Sequence, residues 1–398
     1  MEQSWRWFGP NDVVELRAIR QAGASGVVTA LHDIPYGEIW NVADIEARKA
    51  QIASDSSLGL RWNVVESLPV HERVKLGEGD LSTIFDNYRS SMRNLAACGI
   101  KVICYNFMPI VDWTRTELDR QLAGGGRALR FDVHLFAAFD CFMLKRQGAY
   151  TDYSELVKAR ARDWFDRSSQ SDRDRLISTI MTGLPGAFDR YDIEGLQRML
   201  DRYRGITPDV LHDNLARFLR EVVPVAEECG IRLAIHPDDP PRPLMGLPRI
   251  VSTAEDIERI LVAVKSPSNG LTFCTGSLGA GAANDVPEMA RRFASRTHFV
   301  HLRNVRKETD GSFEEAEHLA GDTDMFAVVE VFLREQARRR DAGDPMWRLP
   351  FRPDHGHELL DDVGKRSFPG YSAIGRLKGL AELRGLMIGI GRARGLPI

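Results

Sequence analysis

Four side chains with metal-ligating chemistry sit in short motifs of the second half of the chain: His236 in AIHPDD, Cys274 in TFCTGS, His301 in FVHLRN and Asp354 in RPDHGH. Each falls at the C-terminal end of a short run that reads as a β-strand. Two imidazoles, a thiolate and a carboxylate suit a borderline divalent ion such as Mn2+, Fe2+, Co2+ or Zn2+. Taken singly, each has a plainer reading, the histidines as hydrogen-bonded structural residues and the cysteine as a small packed hydrophobe. Their recurrence on four successive strands is what points to a shared ligand. Alternation allows them to converge: Ala234, His236 and, if the strand continues, Asp238 share one face. Phe299, His301 and Arg303 likewise share a face, with His298 and Val300 turned away.

More polar chemistry clusters near the same strand ends. Asn106, Asp112 and Arg115, in YNFMP and VDWTR, can hold hydroxyls and a carboxylate, or serve as a capping acid and a surface arginine. Arg303 can bind an anion or form an ion pair inside the fold. His355 adjoins Asp354, and Tyr371 opens the last helix close by. His32, His71, His318 and His357 fall in predicted loops and stay open, whereas His134 and His212 read as structural. The run Arg338-Arg339-Arg340 reads as the solvated C-terminus of a helix, where basic groups complement the dipole.

These residues need a scaffold that brings distant strand ends together. Short β-branched runs alternate with amphipathic stretches, the pattern of βα units around a parallel sheet. Strands are expected at residues 26–31, 62–66, 102–107, inside 131–136, and at 233–236, 271–274 and 299–302. An eighth near 347–354 is irregular because of Pro350 and Pro353. Helices are expected at 11–22 and about 41–56, with another running from a cap at Asp80 to Cys98. Eight strands make an α/β chain of the (β/α)8 TIM-barrel class, whose active sites lie at the C-terminal rim of the strands. The expectation is a single domain over residues 1–398, with a helical insertion near the barrel mouth at about 124–205. A Gly-rich dinucleotide turn after the first strand is missing, and neither Gly124-Gly125-Gly126 nor Gly389-Ile390-Gly391 has the strand-turn-helix setting that such a turn needs.

The 398 residues carry 53 basic and 56 acidic side chains, a formal charge of -3, which argues against a nucleic-acid partner held by bulk charge. No apolar run reaches the ~18–20 residues of a membrane span, and the opening MEQSWRWFGPND lacks the layout of a signal peptide. Five scattered cysteines form no disulfide framework, so a cytoplasmic location is expected. The exposed helical faces allow a homo-oligomer.

Taken together, WRWFGPND, VVESLPVHE, CYNFMPIVDWTRT, AIHPDDPP, TFCTGSLG, FVHLRNV and RPDHGHELLDD resemble the mannonate dehydratase family, in order and over nearly the whole chain. The resemblance implies a xylose-isomerase-like TIM barrel that dehydrates D-mannonate to 2-keto-3-deoxy-D-gluconate in hexuronate breakdown. It implies Mn2+ or Fe2+ held at His236, Cys274, His301 and Asp354, with acid/base roles at His355 and Tyr371, whose division it leaves open. Asn106, Asp112, Arg115 and Arg303 are the candidates for binding the sugar acid. The elimination has no net redox change, so neither nicotinamide nor flavin is expected. The competing readings are a metal-dependent sugar isomerase on the same barrel and a barrel that binds a sugar acid without turning it over.

Overall fold

The computed structural model describes residues 1–182 and 192–398. Twelve strands are found among them: β1 (Glu2–Arg6), β2 (Gly26–Thr29), β3 (Arg61–Glu66), β4 (Val102–Tyr105), β5 (Glu117–Gln121), β6 (Arg127–Phe131), β7 (Arg232–Ile235), β8 (Asn269–Cys274), β9 (Thr297–His301), β10 (Asn304–Lys307), β11 (Phe313–Ala316) and β12 (Pro350–Arg352). Eight of them close into a barrel in the order β1-β12-β9-β8-β7-β4-β3-β2, every pair parallel. A closed parallel sheet wrapped by helices buries both faces of its strands, so they read as continuous apolar runs rather than alternating ones. Inward-facing Val28, Val64, Val102, Cys104, Ala234 and Phe299 form one small cluster filling the barrel. Their neighbours Val27, Val65, Ile103, Leu233 and Val300 belong to the larger core beneath the helices.

Two expectations are corrected. The barrel opens with Glu2–Arg6, a segment without a β-branched residue that is held by pairing to β2 and β12 on either side. The run 26–31 is therefore the second barrel strand, not the first. The fourth strand expected inside 131–136 is not in the barrel: β6 ends at Phe131, and Asp132 then caps the helix Val133–Ala138 by accepting from the His134 and Leu135 N–H groups.

The remaining strands form an antiparallel sheet, β10-β11-β6-β5, built from the excursions that follow β4 and β9. The stretch 124–205 thus begins in this sheet before turning helical, and its residues 183–191 lie outside the described residues. Its helices, Glu155–Arg167, Gln170–Met181 and Ile193–Arg202, pack on a second core that includes Phe131, Phe136, Phe139, Leu176 and Leu196. The chain returns to the barrel through the helix Pro208–Cys229, capped by Thr207 and ended by Gly230 in the left-handed conformation. The arginine run at the end of the helix Met325–Asp341 is only partly solvated. Arg338 and Arg340 are exposed, but Arg339 is buried, paired with Glu335 and donating to the Ala294 and Thr297 carbonyls.

The last helix, Ala373–Arg394, packs its first turn against the loop that leaves β12. A side chain at Gly375 would overlap the carbonyl oxygen and amide nitrogen of His357, which are backbone atoms and cannot swing aside. Gly375→Ala is therefore expected to lower stability by about 1–3 kcal/mol through overpacking, measured as a fall in the denaturation midpoint. An unchanged midpoint would show that this contact does not fix the helix.

Candidate active site

Strand register does most of the work of assembly. Cys274 on β8 pairs directly with His301 on β9, and His301 pairs with Arg352 on β12, so three strand ends present their side chains side by side. His236 extends β7 by one residue, donating its N–H to the Tyr105 carbonyl at 2.9 Å. Ligand atoms of His236, Cys274 and His301 all lie within 4.8 Å of one another. His236 Nε2 and His301 Nδ1 face each other at 3.2 Å, and the His236 Nδ1–H donates to the Pro237 carbonyl at 2.7 Å. Ser277 directs its N–H and hydroxyl at the Cys274 sulfur, at 3.4 and 3.2 Å.

Asp354, the fourth expected ligand, lies beside these three. Its Oδ2 lies 3.7 Å from both Cys274 Sγ and His301 Nδ1. Its backbone takes a positive φ of 64°, uncommon outside glycine though better tolerated by Asp than by most residues. Two arginines pin it there: Arg303 Nε at 2.7 Å from Oδ2, and Arg352 on Oδ1. Burial opposes its ionisation, but Arg352, His355, His301 and Arg303 outweigh that and hold its pKa well below the usual carboxylate range. His301, wholly buried beside Arg352, is pushed well below the usual imidazole range. Burial alone would lower His236, but hydrogen bonding to and charge on Cys274, with Glu66 and Asp354, bring it up to about 9. The donor set, buried imidazole, sulfur and carboxylate groups aimed at one point, fits a divalent ion, whose binding displaces protons from such ligands.

A cleft opens beside this cluster, lined by Arg6, Glu66, Asn106, Asp112, Trp113 and Tyr371, together with His236, Asp239, Arg352, Asp354 and His355. Asn106 Nδ2 donates to Asp112 Oδ2 at 3.2 Å, so both expected hydroxyl-binding groups face the cleft as a pair. His355 Nδ1 lies 3.0 Å from Glu315 Oε1. A carboxylate only accepts, so Nδ1 carries a proton, and in the neutral ring Nε2 is the nitrogen with the lone pair. The Tyr371 ring stands edge-on to His355, centroids 5.2 Å apart, and burial pushes its hydroxyl up to about 12 despite the opposing charge of Arg352.

Arg115 and Arg303, expected beside the substrate, are instead fully buried behind the wall. Arg115 grips Asp239 through both oxygens at 2.7 and 3.2 Å and reaches Glu315 Oε1 at 2.8 Å. Arg303 binds the same two carboxylates as well as Asp354. Asp238, expected to share the His236 face, turns away to accept from Val251 N–H and Ser252 hydroxyl. His298 points outward, as alternation requires, to the Pro267 carbonyl. Of the histidines left open, His318 and His357 brace the loop after β12 through the Pro353 and Glu315 carbonyls, His71 caps the helix Glu72–Leu76, and His32 contacts Arg6.

Sequence reasoning passed over Arg6, Glu66, Asp239, Glu315 and Arg352. Arg6, Glu66 and Arg352 occupy the last positions of β1, β3 and β12; the strand-end rule used for the ligands would have found Glu66, at the end of the expected strand 62–66, whereas Arg6 ends a strand that its own composition does not announce. Glu315 lies in the antiparallel sheet, and nothing local to its sequence marks it.

A closed (β/α)8 barrel with a ligand cluster and a charged cleft at the C-terminal ends of its strands belongs to the barrel enzymes whose chemistry sits on the rim. A sequence profile described as D-mannonate dehydratase (UxuA) matches residues 1–395. The chain is 56% identical over 387 residues to a mannonate dehydratase of Chromohalobacter salexigens, covering 97% of this chain and 98% of that protein. It is 54% identical over 391 residues to one of a Marinomonas species, covering 98% and 99%. The crystal structure of mannonate dehydratase from Streptococcus suis serotype 2 superposes with a TM-score of 0.76 at 33% identity, covering 99% of this chain and 95% of that one. The chain belongs to the D-mannonate dehydratase family, a family of hydro-lyases.

Proposed function

We propose that the protein removes water from D-mannonate to give 2-keto-3-deoxy-D-gluconate, and that His355 and Tyr371 carry the proton transfers. Family membership supports the reaction, and the His355–Glu315 contact is the observation that supports the assignment of roles. His236, Cys274 and His301, with Asp354 beside them, would hold a divalent ion, Mn2+ or Fe2+, which would supply Lewis-acid stabilisation of charge next to a carboxylate.

The residues of the chain do the rest. His355, with its proton fixed on Nδ1, offers Nε2 as the base for the C2 proton. The C2–H electron pair becomes the C2=C3 bond as the C3–O bond breaks. Tyr371, protonated at neutral pH as any tyrosine is and more firmly so for its burial, donates to the departing hydroxyl, which leaves as water. The enol then gains a proton at C3 and loses the one on its C2 hydroxyl, giving the 2-keto acid. Arg6, Arg115, Arg303 and Arg352 face Glu66, Asp239, Glu315 and Asp354, so the wall is charge-balanced, with both Nη groups of Arg115 and all three nitrogens of Arg303 already engaged. Asn106 and Asp112 are placed to take sugar hydroxyls. The Arg6 Nη1 and Trp113 Nε1 donors, buried in the same wall without a hydrogen-bond partner among the described residues, are suited to the same task.

The test is incubation of the metal-loaded protein with D-mannonate, D-gluconate and an aldose, followed by detection of 2-keto-3-deoxy acid. Product from mannonate alone is expected. Ketose formation from the aldose would indicate an isomerase, and binding without product a non-catalytic barrel. A cytoplasmic place in hexuronate breakdown, and assembly as a homo-oligomer, complete the reading; five free, scattered cysteines support a reducing compartment.

A further inference from the structure

The proposed base is held by a strand that the barrel does not supply. In β11, Phe313 and Glu315 share the buried face, and Glu314 and Ala316 share the other. Glu315 grips the loop after β12 at two points. Its Oε1 lies 3.0 Å from His355 Nδ1, and its main-chain carbonyl lies 3.0 Å from His357 Nε2. A carbonyl and an ionised carboxylate only accept, so both rings donate. The same Oε1 accepts from Arg115 Nη2 at 2.8 Å and from Arg303 Nη1 at 2.7 Å. Both arginines are themselves anchored on Asp239, so the carboxylate is held from behind while it faces His355. The His355 ring is confined as well. Trp113 and Tyr371 stand edge-on to it, with centroids 5.9 and 5.2 Å away, and a Cβ at Gly370 would come within 3.2 Å of its atoms.

We propose that Glu315 is a positioning residue for the dehydration, accepting the His355 Nδ1–H so that the lone pair stays on Nε2, the edge of the ring away from the carboxylate. Confinement alone does not decide this. An imidazole in the same slot has two tautomers, and with the proton on Nε2 it has no lone pair to offer there. Holding a catalytic histidine in the wrong tautomer costs as much as about 10^4-fold in kcat. The antiparallel sheet beside the barrel is therefore part of the catalytic apparatus, because it carries β11 and β11 carries the acceptor.

The inference rests on His355 being the base, but its first measurement needs no substrate, so it can fail while the dehydratase reading stands. Protein carrying nitrogen-labelled histidine and loaded with Zn2+, a diamagnetic ion, is studied by NMR, the His355 signals being those missing from His355→Asn. A proton on Nδ1 and none on Nε2 is expected. Glu315→Leu removes the acceptor, whereas Glu315→Gln keeps one, since an NH2 turned toward Arg115, Arg303 and His355 would meet three donors. With Mn2+ bound, kcat for D-mannonate is expected to fall about 10^2–10^4-fold in Glu315→Leu. It should stay within about 10-fold of wild type in Glu315→Gln, whose amide oxygen makes the same bonds at roughly half the strength. Metal content and KM should change little in either variant, because Asp354 keeps Arg352 and Arg303. Should the leucine variant not fold, the wild-type tautomer and the glutamine variant decide. A proton on Nε2 in the wild type, wild-type kcat in Glu315→Leu, or a loss in Glu315→Gln as large as the leucine range would overturn the proposal.

Discussion

Stripping the protein with a strong chelator is expected to lower turnover of D-mannonate by about 10^3-fold or more, and adding Mn2+ or Fe2+ to restore it. The magnitude follows from the several kcal/mol that a Lewis acid contributes to stabilising charge beside a carboxylate, at about 1.4 kcal/mol per factor of ten. Restoration should fail at ordinary metal concentrations in Cys274→Ala and His236→Ala, each of which removes a donor from the 4.8 Å cluster. The fold should survive the treatment. Asp354 stays paired with Arg303 and Arg352, and Glu66 with Arg352, so neither of these two buried carboxylates is left without a counter-charge. Circular dichroism and turnover measured on the same sample separate the two effects. Activity that persists after metal analysis shows the protein to be empty would refute the ion's role, and collapse of the spectrum would show that the cluster is a structural staple instead.

What could be read from sequence follows from how each element is held. Strands such as LAI and FVH are buried on both faces, and their β-branched and aromatic runs stand out. They also carry candidate ligands at or just beyond their ends, so His236, Cys274 and His301, which the structure brings together, were legible as candidates from strand ends. Glu2–Arg6 was not, because its conformation comes from two neighbouring strands rather than from its own composition. The fourth strand expected inside 131–136 failed for a related reason: only Phe131 of that segment lies in a strand, β6, whose partners β5 and β11 lie outside the barrel, and Asp132 caps a helix over the rest. Periodicity reports that a segment is extended, not which sheet receives it.

The arginines show a second limit. Arg115 and Arg303 were read as anion binders because nothing in a linear sequence reveals that Asp239 and Glu315 will lie across from them, 124 and 12 residues away. Pairing of this kind turns a candidate substrate contact into a brace. It also explains what the rim sheet does for the site. β11 delivers Glu315 to three groups at once, Arg115, Arg303 and His355, so the orientation of the proposed base depends on a strand outside the barrel.

That dependence frames the second large effect. His355→Asn is expected to lower kcat by about 10^2–10^4-fold, the usual contribution of a positioned acid or base, while metal content and KM stay close to wild type. Metal should be retained because His355 Nε2 is 3.9 Å from Asp354 Oδ1, and that carboxylate is already fixed by Arg303 and Arg352. Asparagine keeps an amide able to meet Glu315 but has no basic nitrogen for the C2 proton. Tyr371→Phe makes the complementary cut. It removes only the hydroxyl and leaves a ring that can still pack edge-on against His355 and Phe8. With the base intact and the acid gone, this variant should still exchange the C2 hydrogen of mannonate with D2O more readily than it forms product. His355→Asn should do neither. If Tyr371→Phe instead abolishes exchange while His355→Asn preserves it, the two residues have exchanged roles, and the lone pair on His355 Nε2 is not the group that opens the reaction.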